Sequence, residues 1–286
     1  MSGFLNMNDA ERAGLLAEAA TQHSGGISGN KGYRYQDFVT IIELLRGATR
    51  ARQGEEWHIE YIQEAKESFT DDLHILVTPR RHIQIKSVDG QSWEAALRLQ
   101  FSNERKLHPD ASLELCVHDA EIEESLKRNR SRWGLEKVQV YCVPFALSRR
   151  PYTHEYVRYM LRPFMKRTDP DHVYMTVWNH LRGVWMEEFG DQGFLDEFFE
   201  FVCKTSESTK PLQKAPPKIA TRLRQWNLVQ QALIFSADGR SLNVEFPGTE
   251  FDQVMVPLDQ VPDEFWEEDC ATSPWDVFHG LGQFAE

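Results

Sequence analysis

Residues 70–87 read TDDLHILVTPRRHIQIKS. Two short runs dense in Ile, Leu and Val flank a Pro-Arg-Arg break, the pattern of two strands joined by a turn. Side chains alternate between the faces of a strand. Gln84 and Lys86 therefore share one face of the second strand, and Ile85 turns to the other. An acid pair, Asp71 and Asp72, opens the first strand. With Asp72 opposite the Gln-x-Lys, three polar groups meet at one edge of a hairpin. Metal-dependent phosphodiester hydrolysis uses such groups. Hard oxygen ligands hold a divalent cation that keeps several waters, and a nearby positive charge orients water or offsets charge on the phosphate.

Working outward, residues 1–20 read as a short amphipathic helix. The stretch TQHSGGISGNKGY (21–33) follows as a Gly- and Ser-rich loop. It lacks the spacing of a phosphate-binding loop, because Gly32 follows Lys31 where Ser or Thr is needed. Tyr35, Phe38, Ile41, Ile42 and Leu45 recur at three- and four-residue steps and predict a helix over 32–48, with Gln36 beside its apolar face. WHIEYIQEA (57–65) alternates like a strand and leads into the hairpin. A helix is expected over 92–107 with Ser92 as N-cap, then a strand at 111–119, a charged helix at 120–133, a strand at 137–145 and a helix at 152–166. Three consecutive strands pair as a meander, and the later ones join by helical crossovers. The expected class is α/β, a mixed sheet flanked by helices.

The Asp, about a dozen residues, then Gln-x-Lys resembles the variant core of the PD-(D/E)XK, restriction-endonuclease-like nucleases, in which Gln replaces the acid before x-Lys. The wider context is GYRYQ (32–36), DDLHILV (71–77) and HIQIKS (82–87). It is similar to the double-strand-DNA endonuclease domain at the front of many bacterial antiphage-defence effectors, including cyclic-oligonucleotide-activated ones. The resemblance spans residues 25–145. It implies a restriction-endonuclease-like core in which Asp72 binds the metal, with Asp71 as the alternative. Gln84 and the backbone carbonyl of Ile85 would complete the metal shell, and Lys86 would orient or activate the attacking water. Gln36 would support the site or contact DNA, and a preceding acid falls on Glu64 or Glu67. Gln in place of Glu leaves one fewer negative charge, so weaker cation binding is expected. The resemblance further implies Mg2+ or Mn2+ as cofactor and double-stranded DNA as substrate. Cutting both strands implies a dimer or higher oligomer. Family members normally carry a sensor in the same chain. No Walker motif or sensing module is recognised here, so control is expected from a partner protein, such as an ATPase or sensor subunit, or from oligomerisation. The alternatives are a non-catalytic nuclease-fold assembly subunit and an acidic decoy that mimics DNA.

Charge divides the chain. The formal net charge is −12, yet residues 1–170 hold 24 Lys and Arg against 24 Asp and Glu. All the excess lies in 171–286, and residues 241–286 hold 11 acids and no Lys or Arg. The nuclease-like domain is expected over 1–170, with a boundary near residue 205, where KTSESTKPLQKAPPK (204–218) reads as a linker, as the alternative. The remainder, 171–286, is expected to be mainly helical and acidic, serving partner docking or oligomerisation. The basic groups of the first part include Arg80 and Arg81 at the hairpin tip, and Lys127, Arg128, Arg130 and Arg132 in LKRNRSRW. They read either as solvated surface or as phosphate contacts. His74 and His82 read as satisfied strand histidines or as a catalytic base. Tyr33 and Tyr35 read as helix residues flanking the core or as a DNA-stacking pair. The four cysteines form no C-x-x-C, and H-E-x-x-H is absent, so a structural zinc is not expected from these motifs. No run of about 18 apolar residues and no secretory leader is seen, which points to a cytoplasmic protein without a membrane span.

Overall fold

The computed structural model describes residues 8–25, 30–52, 55–144, 150–165 and 170–211. Beyond these it describes residues 219, 221, 222, 225, 234–237, 241–245, 253–258, 260–262, 265, 266 and 274–284. The chain is α/β, built on a mixed six-stranded sheet flanked by helices. Strands β1 (Glu60–Gln63), β2 (Leu73–Ile75) and β3 (Arg81–Lys86) form an antiparallel meander. β3 then pairs in parallel with β4 (Ser112–Val117), and β4 with β5 (Gln139–Cys142). Helices α3 (Ala95–Leu107) and α4 (Ala120–Asn129) make the two crossovers that parallel neighbours require.

The hairpin divides its side chains by alternation. Leu73, Ile75, Ile83 and Ile85 enter the large core beneath α2 (Asn30–Arg52), where they meet Tyr35, Phe38, Ile41, Ile42 and Leu45. Burying each aliphatic side chain contributes about 1.5–3 kcal/mol. Gly47 leaves room for Tyr61, whose hydroxyl would collide with any Cβ there. On the other side of β4, Leu113, Leu115 and Val117 pack with Trp93, Leu97, Phe101 and Leu126 from the crossover segments. α3 starts at Ala95 with Glu94 as N-cap and no side-chain cap, rather than being capped by Ser92. Ser92 instead offers its carbonyl to the Glu94 N–H. The helix beyond Ala120 tightens to a 3-10 turn at Arg130–Trp133 and ends at Gly134, whose positive φ suits glycine.

The boundary at 170 does not divide the packing. β6 (Gln192–Phe194) pairs antiparallel with β1 and completes the sheet. α6 (Asp171–Val184) and α7 (Leu195–Thr205), which follow α1 (Asp9–Gly25) to α5 (Glu155–Leu161) in the chain, place Trp178, Leu181, Phe198 and Val202 in the same core as α2. Aromatic residues 174–201 therefore finish the first core. Among the described residues of 171–286 helix outweighs strand, and the later ones add strands. β7 (Ile234–Ala237), β8 (Ser241–Glu245) and β9 (Gln253–Pro257) form a second, antiparallel sheet. Leu242, Val244 and Val256 pack there with Val277 and Leu281 of α8 (Pro274–Gly282). No helix among the described residues is long and apolar enough to cross a membrane. Cys116 and Cys142 are free thiols. Cys270 and much of the acidic 241–286 lie outside the described residues.

Candidate metal centre on the hairpin

Pairing of Leu73 with Ile83 carries Asp72, just before β2, to the level of Gln84 and Ile85. Asp72 Oδ2 accepts from the Ile85 N–H at 2.6 Å and, still more closely, from Gln84 Nε2. Gln36, from α2, reaches the same point. Its Nε2 donates to the Asp72 carbonyl at 2.8 Å and to Glu64 Oε1 at 2.7 Å. Glu64 follows β1 directly with a φ of 52°, a left-handed conformation that costs an ordinary side chain energy and clusters at functional sites. Four elements thus bring Asp72, Gln84, Gln36 and Glu64 together.

Burial pushes the Asp72 carboxyl up to about 7; the charge of Lys86 opposes it, Asp71 adds to it, the Ile85 N–H opposes it and Glu64 adds to it. Such a group is stabilised by an added cation. Gln84 is 1 % exposed, and among the described residues its Oε1 has no hydrogen-bond partner. Turning the amide about its last bond exchanges Nε2 and Oε1. The two oxygens of Asp72 and Gln84 then face each other as two ligands of one cation do.

Other expected residues stand elsewhere. Glu67 is exposed and offers the ring of His108 its backbone, not its carboxylate to the centre. Asp71 is half-buried and gives its carbonyl to the Ala65 N–H. Arg81 is not at a solvated tip. It grips Glu114 with two bonds of 2.7 and 2.8 Å and Glu43 with one of 2.8 Å. Glu43 is wholly buried, and although burial opposes it, Arg81 and Arg46 hold its pKa down at about 2. The Arg81 guanidinium is thus spent inside the fold, and only Arg80 remains exposed for a phosphate. Lys127 pairs with Glu123 at 2.5 Å, and Arg130 donates to the Val138 carbonyl at 2.9 Å. Arg128 and Arg132 are exposed. Tyr35 is core, its hydroxyl donating to the Val143 carbonyl at 2.7 Å. The Tyr33 side chain lies outside the described residues.

His74 and His82 pair across β2 and β3, and their rings stack at 3.8 Å. Glu104, from α3, closes on His82 Nδ1 at 2.5 Å and accepts from the Phe69 and Thr70 N–H groups at 2.7 and 3.3 Å. Burial, then the neighbouring His82, pushes His74 down to about 3 and keeps it neutral. Glu104 and His108 went unnoticed in the sequence. A hairpin register that pairs two histidines was the signal for half of the cluster, but nothing local ties α3 to it. Searched against protein-family models, curated proteins and solved structures, the chain matches none of them.

Proposed function

We propose that the chain is a Mg2+- or Mn2+-dependent DNA endonuclease with a restriction-endonuclease-like core, acting against foreign DNA. One observation carries this reading: the buried Gln84 amide converges on Asp72, and its Oε1 is left without a partner among the described residues. A carboxylate oxygen, an amide oxygen and a backbone carbonyl are hard donors that suit Mg2+ or Mn2+. Asp72, Gln84 and Ile85 would hold the ion, which supplies Lewis-acid polarisation of the scissile phosphate.

The chain's own groups account for the rest. Gln36 fixes the backbone at Asp72 and the carboxylate of Glu64, so the ligands are oriented before substrate arrives. Lys86 follows Ile85 on the same strand, and its charge already acts on Asp72. Its ammonium orients the attacking water and offsets charge that grows on the phosphate oxygens. The water oxygen bonds to phosphorus as the bond to the leaving sugar oxygen breaks. Cleavage of both strands calls for two such sites, hence a dimer or higher oligomer, with control by a partner chain or by assembly.

The test is plasmid cleavage by the purified protein, alone and with candidate partner proteins, in Mg2+ or Mn2+. Wild-type cutting is expected, with loss of at least about 100-fold in Asp72→Ala and in Lys86→Ala. Cutting that persists in both variants overturns the assigned roles. Intact plasmid under every condition favours the non-catalytic assembly subunit.

A further inference from the structure

We propose that His82, Glu104 and His108, joined by His74, form a second metal site, for a borderline divalent ion such as Zn2+, that fastens the loop leading into Asp72. This site is separate from the hard-ligand centre and does not depend on the nuclease reading.

The donors are already gathered. One ligand atom each from His74, His82 and Glu104 lies within 4.8 Å of the others, and all three residues are buried. Glu104 Oε1 stands 2.5 Å from His82 Nδ1 and 3.8 Å from His108 Nε2. A tetrahedral ion bound at about 2.0–2.2 Å separates its nitrogen and oxygen donors by about 3.3 Å. Reaching that spacing requires one pair to open and the other to close by less than about 1 Å. The rings of His82 and His108 meet at 68°, so both can direct a lone pair at one point. His74 lies parallel to His82, at 10°. It becomes the fourth ligand by turning its ring away from Ser68 Oγ and the Thr70 carbonyl, which it now bonds at 3.0 and 2.9 Å. His108 is the least buried member, with its side chain 24 % exposed, and gives the ion its way in.

Imidazole donors favour Zn2+ and its neighbours over Mg2+, so the two ends of one hairpin would select different ions. The consequence concerns the loop at 67–70. Glu104 holds the Phe69 and Thr70 N–H groups, and His108 holds the backbone of Glu67. Phe69 packs with Ala19 and Leu107. An ion on this cluster would tie the loop to α3 and to the sheet, two residues before Asp72.

The experiment uses the full chain stripped by a chelator and titrated with Zn2+, and separately with Co2+ as a spectroscopic substitute. One equivalent should bind at micromolar concentration or below, in the presence of excess Mg2+. The melting temperature should rise by about 5 °C at a hundredfold excess over Kd, and bound Co2+ should show the intense visible absorption of a four-coordinate site. His108→Asn, at the exposed side of the cluster, leaves the buried core in place and should weaken binding by more than about 100-fold. Asp72→Asn should leave Zn2+ binding unchanged. Absence of stoichiometric uptake by the folded chain overturns the proposal. So does uptake of equal affinity in His108→Asn and His82→Asn.

Discussion

The two ends of the polar ribbon on β2 and β3 differ in how far their groups satisfy one another. At the His74–His82 end, Glu104 meets an imidazole and two backbone N–H groups, and its pKa falls to about 2: burial opposes ionisation, but the His82 bond, the charges of His82 and His108 and the Phe69 N–H outweigh it. At the Asp72 end, burial with Asp71 and Glu64 outweighs Lys86 and one N–H, and the pKa rises to about 7. One buried carboxylate is therefore held charged by the protein, and the other is costly to charge. Buried acids divide in this way according to the donors around them. The unsatisfied end is where an external cation has most to offer.

Removing each carboxylate should accordingly shift stability in opposite directions. Glu104→Ala leaves the Phe69 and Thr70 N–H groups and His82 without their acceptor, and should cost about 3–5 kcal/mol in chemical denaturation. Asp72→Asn, in chelator at pH 8, should gain on the order of 3 kcal/mol. The folded pKa of Asp72 lies above its ordinary 3.8. Its contribution is therefore fully present below about pH 4 and lost as pH rises to about 7. The advantage of the Asn variant should grow over that window and shrink when Mg2+ is added. Parallel pH profiles for variant and wild type would break the comparison.

Gln84→Glu sharpens it further. A second buried acid beside Asp72 should lower metal-free stability and tighten Mg2+ binding about tenfold, or about 1.4 kcal/mol, read from the Mg2+ dependence of melting. The smallest effect is expected outside the ribbon. Arg80→Ala should change stability by less than about 0.5 kcal/mol, because Arg80 is exposed, while lowering the salt dependence of DNA binding by about one phosphate contact.

Much of the hairpin was legible because its causes are local. Alternating Ile and polar residues set the strands, and their separation by a short turn set the pairing, so the match of Asp72 with Gln84 follows from the pattern alone. Gln36 was legible as a residue beside the apolar stripe of α2, though not as a bridge to Glu64. The choice of Glu64 over Glu67 was not legible, since it turns on a left-handed residue just past β1. Arg81 read as a turn residue because its two partners, Glu43 and Glu114, lie 38 and 33 positions away. β6 was missed because its three residues carry no periodicity and exist as a strand only beside β1.

The sequence by itself determined the α/β class, the meander followed by helical crossovers, and the polar set on the hairpin, all products of short-range patterning and turn chemistry. Tertiary structure alone decided that residues 171–205 complete the first core and that Arg81 is an internal ion-pair partner. It also decided that two strand histidines meet a glutamate and a histidine from α3. Those outcomes depend on contacts between elements far apart in the chain, and side-chain periodicity carries no record of which distant face a helix will cover.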